Sequence, residues 1–193
     1  MVSAALELAR AGGPDAVVLR EVARSVGVVP NAAYRHFADR EELLAAVCAE
    51  AMRELATRMA ANVRRVRGRY GEPEAARRRL RAIGRAYVEF SRAEPGLFLT
   101  AFALPHRHAY DAGDGEPGAD RLPLDQLREV LDELVEAGVL DGRRRPGIEY
   151  PIWSTVHGLA VLTGQGPLRD LTDAARSRIA ELTGAFIEDA LSR

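Results

Sequence analysis

The sequence predicts an all-α fold of about nine helices. Apolar residues recur at intervals of three and four along most of the chain, which is typical of amphipathic helices, and no segment alternates as a strand does. Glycine and proline fall between the periodic segments, where they mark turns. With 193 residues, 47% of them apolar, the chain is long enough to bury a substantial core. No apolar run approaches the roughly 18 residues of a membrane-spanning helix.

The segment from Leu19 to Leu44 predicts a short helix, a tight turn, a second short helix and the start of a long one. Apolar residues at 19, 22, 23 and 26 predict one buried helical face. Gly27 follows where a turn requires a positive φ. Pro30 is suited to the first turn of the next helix, over about 31–37. Asp39 is a good N-cap for the long helix after it. This order is the helix-turn-helix pattern.

The other helices follow from the same periodicity and from their flanking residues. The first helix is predicted over 2–11 and the long fourth helix over 40–67. Helix-breaking residues at 68–71, 94–96 and 138 separate the later ones. We predict these later helices over 73–93, 97–104, 124–137, 148–163 and 171–191.

Residues 19–28 (LREVARSVGV) and 33–44 (AYRHFADREELL) resemble the DNA-binding region of the TetR family of transcription regulators. The Tyr-Arg-His-Phe element followed by Asp-Arg-Glu-Glu-Leu-Leu carries most of this resemblance. Residues 153–158 also resemble a C-terminal domain type of that family, which is named for its Trp-His-Gly signature. The resemblance implies a three-helix helix-turn-helix DNA-binding domain over 1–45. A helical bundle for ligand binding and dimerisation would occupy 46–193.

Side chains on and around the second short helix are candidates for contacts with an operator in double-stranded DNA. The N-terminal part of a recognition helix reaches base edges in the major groove. Asn31 and Arg35 project on the same side, and these two residue types suit adenine and guanine. Further phosphate or groove contacts are assigned, largely from the resemblance, to Arg20, Ala32, Tyr34, His36 and Arg40. Packing inside the domain is the alternative role for Tyr34 and His36.

The C-terminal part is expected to bind a small, largely apolar effector and to form a homodimer. Aromatic residues at helical spacing line either a core or an apolar pocket, and ligand sites are mostly apolar with a few polar groups. The candidates for such a pocket are Tyr87, Phe90, Phe98, Phe102, Trp153 and His157. The resemblance implies a dimer interface made by the last two helices, about 148–163 and 171–191, and repression as the commoner outcome.

The alternative function is a helical dimer that has lost specific DNA binding and serves as a partner-binding module. Leu19 and Val29 favour it, because the family usually has threonine and serine there, whose hydroxyl groups cap helices and contact phosphate. The family also usually carries basic residues before its first helix, whereas this chain begins almost inside that helix. A preference for one DNA sequence would exclude this alternative.

Other functional classes are disfavoured. The sequence shows no paired carboxylates, no Ser-His-Asp arrangement and no spacing of zinc ligands. It therefore predicts neither an enzyme nor a metal site nor a bound cofactor. The two histidines at 106 and 108 have no cysteine and no third histidine nearby. The single Cys48 is expected to be a buried small hydrophobic residue, and with no recognisable signal peptide it predicts a cytoplasmic protein. The region 64–85 carries nine arginines and two glutamates. Within it, the arginines at 77, 78, 79, 81 and 85 of one predicted helix predict a solvated face, a DNA surface or a partner surface.

Overall fold

The computed structural model of the chain describes residues 1–29, 33–104 and 122–192. Within those ranges it contains eight α-helices, two short 3₁₀ turns and no strand, so the all-α prediction is confirmed. The predicted helix over 31–37 begins outside the described residues. The helices are α1 (Val2–Gly12), α2 (Leu19–Ser25), α3 (Arg40–Arg64), α4 (Pro73–Ala93), α5 (Pro95–Ala101), α6 (Pro123–Glu136), α7 (Glu149–Gly164) and α8 (Asp173–Ser192).

These helices form two compact units that interleave along the chain. The first unit contains Met1–Glu54 and the segment that begins at Ala93. The second contains Leu55–Arg92 and the C-terminal helices α6, α7 and α8. The segment 1–45, predicted as the DNA-binding domain, lies wholly inside the first unit. The proposed functional boundary after residue 45 stays a prediction.

The helix-turn-helix geometry follows from α2 and the turn after it. Leu19, Val22 and Ala23 are buried, as their spacing predicts. The fourth residue of the predicted face, Val26, is exposed, because α2 ends at Ser25 and Val26 is its C-cap. Gly27 then adopts a φ of 72°, as the turn requires, and the amide of the next residue donates to the carbonyl of Ala23 at 3.0 Å.

The start of α3 is fixed by two reciprocal hydrogen bonds. The Asp39 carboxylate accepts from the backbone amide of Glu42 at 2.9 Å, which confirms Asp39 as the N-cap. The Glu42 carboxylate accepts from the backbone amide of Ala38 at 2.6 Å. The first contact satisfies an amide that a helix start leaves without an intrahelical partner, and the second ties the residue before the N-cap to the first turn. They define the direction in which α3 leaves the Tyr-Arg-His-Phe element.

In the first unit, α5 packs closely on α1. A Cβ atom placed on Gly96 would lie 2.3 Å from the carbonyl oxygen of Ala9 and 2.5 Å from that of Arg10, so only glycine fits there. Cys48 is buried in the same unit, as predicted, and its thiol donates to the carbonyl of Thr100 at 2.9 Å. Burial raises the pKa of this thiol.

The arginine run of α4 is mostly engaged within the second unit. Arg79 pairs with Glu133, which is only 2% exposed, and also donates to the carbonyl of Gly68 at 2.6 Å. The same glutamate accepts from the backbone amide of Gly71 at 3.1 Å, and Arg78 donates to the carbonyl of Arg67 at 3.0 Å. These contacts tie the α3–α4 connection to α6. The prediction of a solvated face is therefore wrong for Arg79.

Candidate DNA-binding surface and ligand cavity

The described part of the predicted recognition helix is one hydrogen-bonded turn. The carbonyl of Ala33 accepts from the amides of His36 at 3.0 Å and Phe37 at 3.1 Å. Because Ala33 is buried, the turn is anchored to the unit, while Tyr34, Arg35 and His36 are exposed. Tyr34 is 53% exposed, so its ring is available for an outside contact.

The other predicted DNA-contacting residues differ in how far their side chains are engaged. Arg20 is exposed near the start of α2 and makes no ion pair or side-chain hydrogen bond with the described residues. Arg40 donates from Nε to the carbonyl of Val17 at 2.8 Å and from Nη2 to that of Pro14 at 2.7 Å. It thus ties the start of α3 to the turn before α2, and its phosphate contact stays a prediction. Asn31 and Ala32 lie outside the described residues.

The two apolar departures from the family pattern lie in different settings. Leu19 is buried and is the first residue of α2, whose N-cap is Val18 without a side-chain cap bond. A hydroxyl group that caps α2 would therefore have to stand at position 18, where this chain has valine, and not at position 19. Val29 is 69% exposed, just before the recognition segment. A valine there presents a surface without a hydrogen-bonding group.

The second unit holds a cavity of about 600 Å³. Its walls are formed by α4, α6, α7 and α8, and Met59 of α3 contributes one side chain. Most of the residues that line it are apolar, among them Leu80, Ile83, Leu124 and Ile152. The size and lining are typical of sites for small, mainly apolar ligands.

A polar network involving Tyr87 and Trp153 occupies one wall of this cavity. The Trp153 indole N–H donates to the Tyr87 hydroxyl oxygen at 3.2 Å. The hydroxyl lies 2.7 Å from Nδ1 of His157, close enough for a hydrogen bond between the two side chains. Burial lowers the pKa of His157, which favours the neutral imidazole that can accept this bond.

The structure divides the six predicted ligand-binding residues. Tyr87 and Trp153 line the cavity, whereas His157 is hydrogen-bonded to Tyr87 and is not a lining residue. Phe90 is buried beneath the Arg58 guanidinium, 5.0 Å from the ring centroid, and is outside the cavity lining. Phe98 and Phe102 belong to the first unit, where their rings meet edge to face at 5.2 Å.

Several cavity residues are absent from the sequence-based prediction. Leu124 and Leu127 lie on the apolar face of α6, so the periodicity of that helix was the available signal. Arg92 and Arg176 also line the cavity. The residues next to them in the sequence do not distinguish these two arginines from the others. They reach the cavity only because the fold brings together segments that are far apart in the chain.

The described residues contain no cluster of three or more His, Cys, Asp and Glu side chains suited to a metal ion. None of their helices combines the length and apolar character that crossing a membrane requires. The histidines at 106 and 108 lie outside the described residues.

Comparison with known proteins identifies both parts of the chain. Residues 1–47 match the family model described as bacterial regulatory proteins, tetR family. Residues 80–185 match the model described as tetracyclin repressor-like, C-terminal domain. None of the curated proteins matches the chain.

Two solved structures share the fold. A protein of unknown function from Rhodococcus sp. RHA1 has a TM-score of 0.75 at 23% identity, covering 100% of this chain and 93% of that one. A TetR-family regulator from Streptomyces coelicolor A3 has a TM-score of 0.50 at 18% identity, covering 99% and 94%. Regulators of this family bind DNA and are not enzymes. The two family models together span most of the chain, and we conclude that it belongs to the TetR family of DNA-binding transcriptional regulators.

Proposed function

We propose that the protein is a repressor that binds a palindromic operator as a homodimer and is released by a small, largely apolar ligand. The observation that carries this proposal is the apolar cavity of about 600 Å³ in the second unit. A protein that only bound DNA would have no need for an unfilled space of this size, because interiors are normally close-packed. The proposal includes a cytoplasmic location, since the operator is chromosomal DNA.

Exposed apolar side chains on α7 and α8 support dimerisation. Leu182 and Phe186 are one helical turn apart on α8 and are 56% and 65% exposed. Val161 and Leu162 are also exposed, on the neighbouring helix α7. Apolar surface of this kind favours a protein partner. A second copy related by a two-fold axis would cover it with its own α7 and α8, in a four-helix interface.

Such a dimer would present two recognition helices to one face of DNA. For helix-turn-helix dimers the half-sites lie about 34–36 Å apart, or a multiple of that distance. Arg35 would read a base edge in each half-site, while Arg20, Tyr34, His36 and Arg40 would contact phosphates. Asn31 and Ala32 remain proposed contacts of the same helix.

Helix α3 is the proposed connection between ligand and operator. It begins at Arg40, next to the recognition segment, and carries Met59, which lines the cavity. A ligand can shift the DNA-binding equilibrium only by as much as its affinities for the two conformations differ. We propose that a ligand against Met59 favours a position of α3 in which the two recognition helices no longer match the operator.

Selection of duplexes from a random DNA pool at near-physiological salt tests the DNA part of this proposal. Enrichment of one palindromic sequence, with half-sites about one DNA turn apart, is the expected result. Light scattering after size exclusion is expected to give the mass of a dimer. Phe186→Glu should then yield monomers and weaken operator binding, whereas Leu99→Glu, which adds the same charge to an exposed site of the first unit, should do neither.

The partner-binding alternative is favoured by one observation, the 69% exposed Val29 beside the recognition segment. It predicts a different result in the same selection. Binding would weaken steeply with salt, because only phosphate contacts would remain, and no sequence would be enriched. That result would contradict the proposed repressor.

A further inference from the structure

We infer that Val29 reads the operator sequence by packing against the C5-methyl group of a thymine in the major groove. This inference rests on the proposed binding of a specific operator and adds to it a residue that selects one base pair. It depends neither on the cavity nor on a ligand. It comes from three features of Val29: its place beside the recognition segment, its exposure and the chemistry of its side chain.

The fold holds Val29 close to the recognition segment. On its N-terminal side the backbone is fixed by the φ of 72° at Gly27 and by the hydrogen bond from the amide of Val28 to the carbonyl of Ala23, at 3.0 Å. On its C-terminal side the buried Ala33 begins the recognition turn four residues later, and four residues of chain span at most about 14 Å. The major groove is about 12 Å wide, so Val29 is within reach of a groove that holds the recognition segment.

Val29 has the most exposed large apolar side chain in the described part of the first unit, at 69%. The two other valines of this turn, Val26 and Val28, are 39% and 38% exposed. Because the protein covers little of Val29, contact with DNA would remove most of its surface from water, which is favourable for an apolar group. A β-branched side chain also has few rotamers to lose when it is held in place.

The chemistry of valine leaves one kind of target in the major groove. The side chain has no hydrogen-bonding group, so it binds neither a phosphate nor the polar edge of a base. The base edges in this groove carry a single apolar group, the C5-methyl of thymine. Valine at position 29 therefore favours an A·T pair whose thymine faces it. The serine that the family usually has there contacts phosphate and carries no such preference.

The surroundings of Val29 favour DNA over a protein partner. Apolar surfaces that bind proteins are extended, whereas the residues exposed on either side of this turn include the basic Arg20 and Arg35. Basic side chains attract the phosphate backbone and so bring the turn against the duplex. An apolar side chain among them adds a base contact to an interface that the DNA-binding family already uses.

Replacement of thymine by deoxyuridine tests this contact on the unaltered protein. The operator selected from random duplexes is synthesised with each thymine position of the half-site replaced in turn. Deoxyuridine lacks only the C5-methyl group, so the base pair and its hydrogen-bonding edges stay the same. At one thymine position we expect binding to weaken about fourfold for one half-site and about fifteenfold for both, the usual effect of losing one buried methyl group. Fluorescence anisotropy at a fixed salt concentration measures these affinities.

Val29→Ala tests the assigned residue. This variant should bind the thymine operator less tightly and should no longer distinguish thymine from uracil at that position, because the methyl groups that make the contact are gone. Val29→Ser, which carries the residue usual in the family, should also lose the distinction. Val26→Ala is the matched control, since it removes the same groups from an exposed valine at the C-cap of α2, and it should keep the distinction. Circular dichroism and thermal melts establish that the variants are folded.

Two results with an enriched operator would overturn the inference alone: no thymine methyl group affects binding, or the one that does has the same effect in both Val29 variants. The first result would leave a protein partner as the role of Val29. Failure of the proposed function gives a different pattern. If Val29 reads a methyl group but no cavity ligand releases the operator, the inference stands and the ligand-responsive repressor is wrong. If no sequence is enriched at all, both fail, because a residue that selects thymine would enrich A·T pairs.

Discussion

The recognition segment and the cavity wall use the same kinds of side chain in opposite settings. Around Ala33, the arginine, tyrosine and histidine side chains at 34–36 are exposed. In the cavity wall Tyr87 is buried, Trp153 and Arg176 are partly buried, and Tyr87 and Trp153 are hydrogen-bonded to each other. An exposed donor can meet a phosphate or a base, whereas Tyr87 and Trp153 already have hydrogen-bond partners within the protein. Changes in the two regions should therefore affect different properties.

The largest effect on stability is expected from Arg79→Met in the second unit. Glu133 is almost fully buried and would lose its charged partner. Removing one member of a buried pair typically lowers the free energy of unfolding by about 3–5 kcal/mol. Urea denaturation measures this change. Arg69→Met, in the same α3–α4 connection but exposed, is the control, and an equal loss for both would show that the buried pair has no special role.

Gly96→Ala should destabilise the first unit by a smaller amount, about 1–3 kcal/mol. The new Cβ would lie 2.3 Å from a backbone oxygen of α1, so one of the helices has to shift. The same substitution at Gly84 in the second unit places its Cβ 3.9 Å from Val156, an ordinary contact. Gly84→Ala should therefore be neutral or stabilising by up to about 1 kcal/mol. Thermal melts of the two variants should separate clearly, and coinciding melts would rule out the close packing of α5 on α1.

Arg35→Ala should change DNA binding without changing stability. Loss of one bidentate base contact costs about 1–3 kcal/mol, and the loss occurs in both half-sites of a dimer. The operator affinity should therefore fall by at least about tenfold, while the unfolding midpoint and the tryptophan response to ligand stay the same. Arg65→Ala, at an exposed arginine just after α3, should leave all three quantities unchanged. A variant at Arg35 that binds the operator normally would show that this residue is not a base reader.

The smallest expected effect concerns pH and the cavity wall. Burial lowers the pKa of His157, so the folded protein keeps this imidazole neutral where the unfolded chain takes up a proton. The contribution of neutral His157 to the free energy of unfolding is fully present above the pKa of the unfolded chain, about 6.5. It is lost as the pH falls below that value. The melting temperature should decline less between pH 8 and pH 5.5 in His157→Gln than in the unaltered protein. Parallel declines would mean that His157 is not responsible.

The first unit was the more predictable of the two because its signals are local. The cap at Asp39, the turn at Gly27 and the buried face of α2 each depend on residues within a few positions of one another. Val26 was misplaced because the end of α2 falls one residue earlier than the apolar spacing suggested. The packing of α5 on α1 connects segments about 90 residues apart, and no short pattern indicates it.

The cavity was only partly predictable, for a physical reason. Its walls come from four helices that are distant in the chain, so a residue contributes through tertiary packing and not through its neighbours. Tyr87 and Trp153 were found because large aromatic side chains often line pockets. The same argument placed Phe90 there, which packs beneath Arg58 instead. Arg176 carries no local signal, since only tertiary packing brings it to the cavity wall.

The most direct test of the central claim is a reciprocal binding measurement with the selected operator and the cavity ligand that binds best. Operator affinity is measured with and without saturating ligand, and ligand affinity, from Trp153 fluorescence, is measured with and without operator. If the cavity regulates DNA binding, both affinities fall by the same factor, because coupling between two sites is reciprocal. If both affinities stay unchanged, the cavity and the recognition segment act independently, and the proposed ligand-responsive repressor is contradicted.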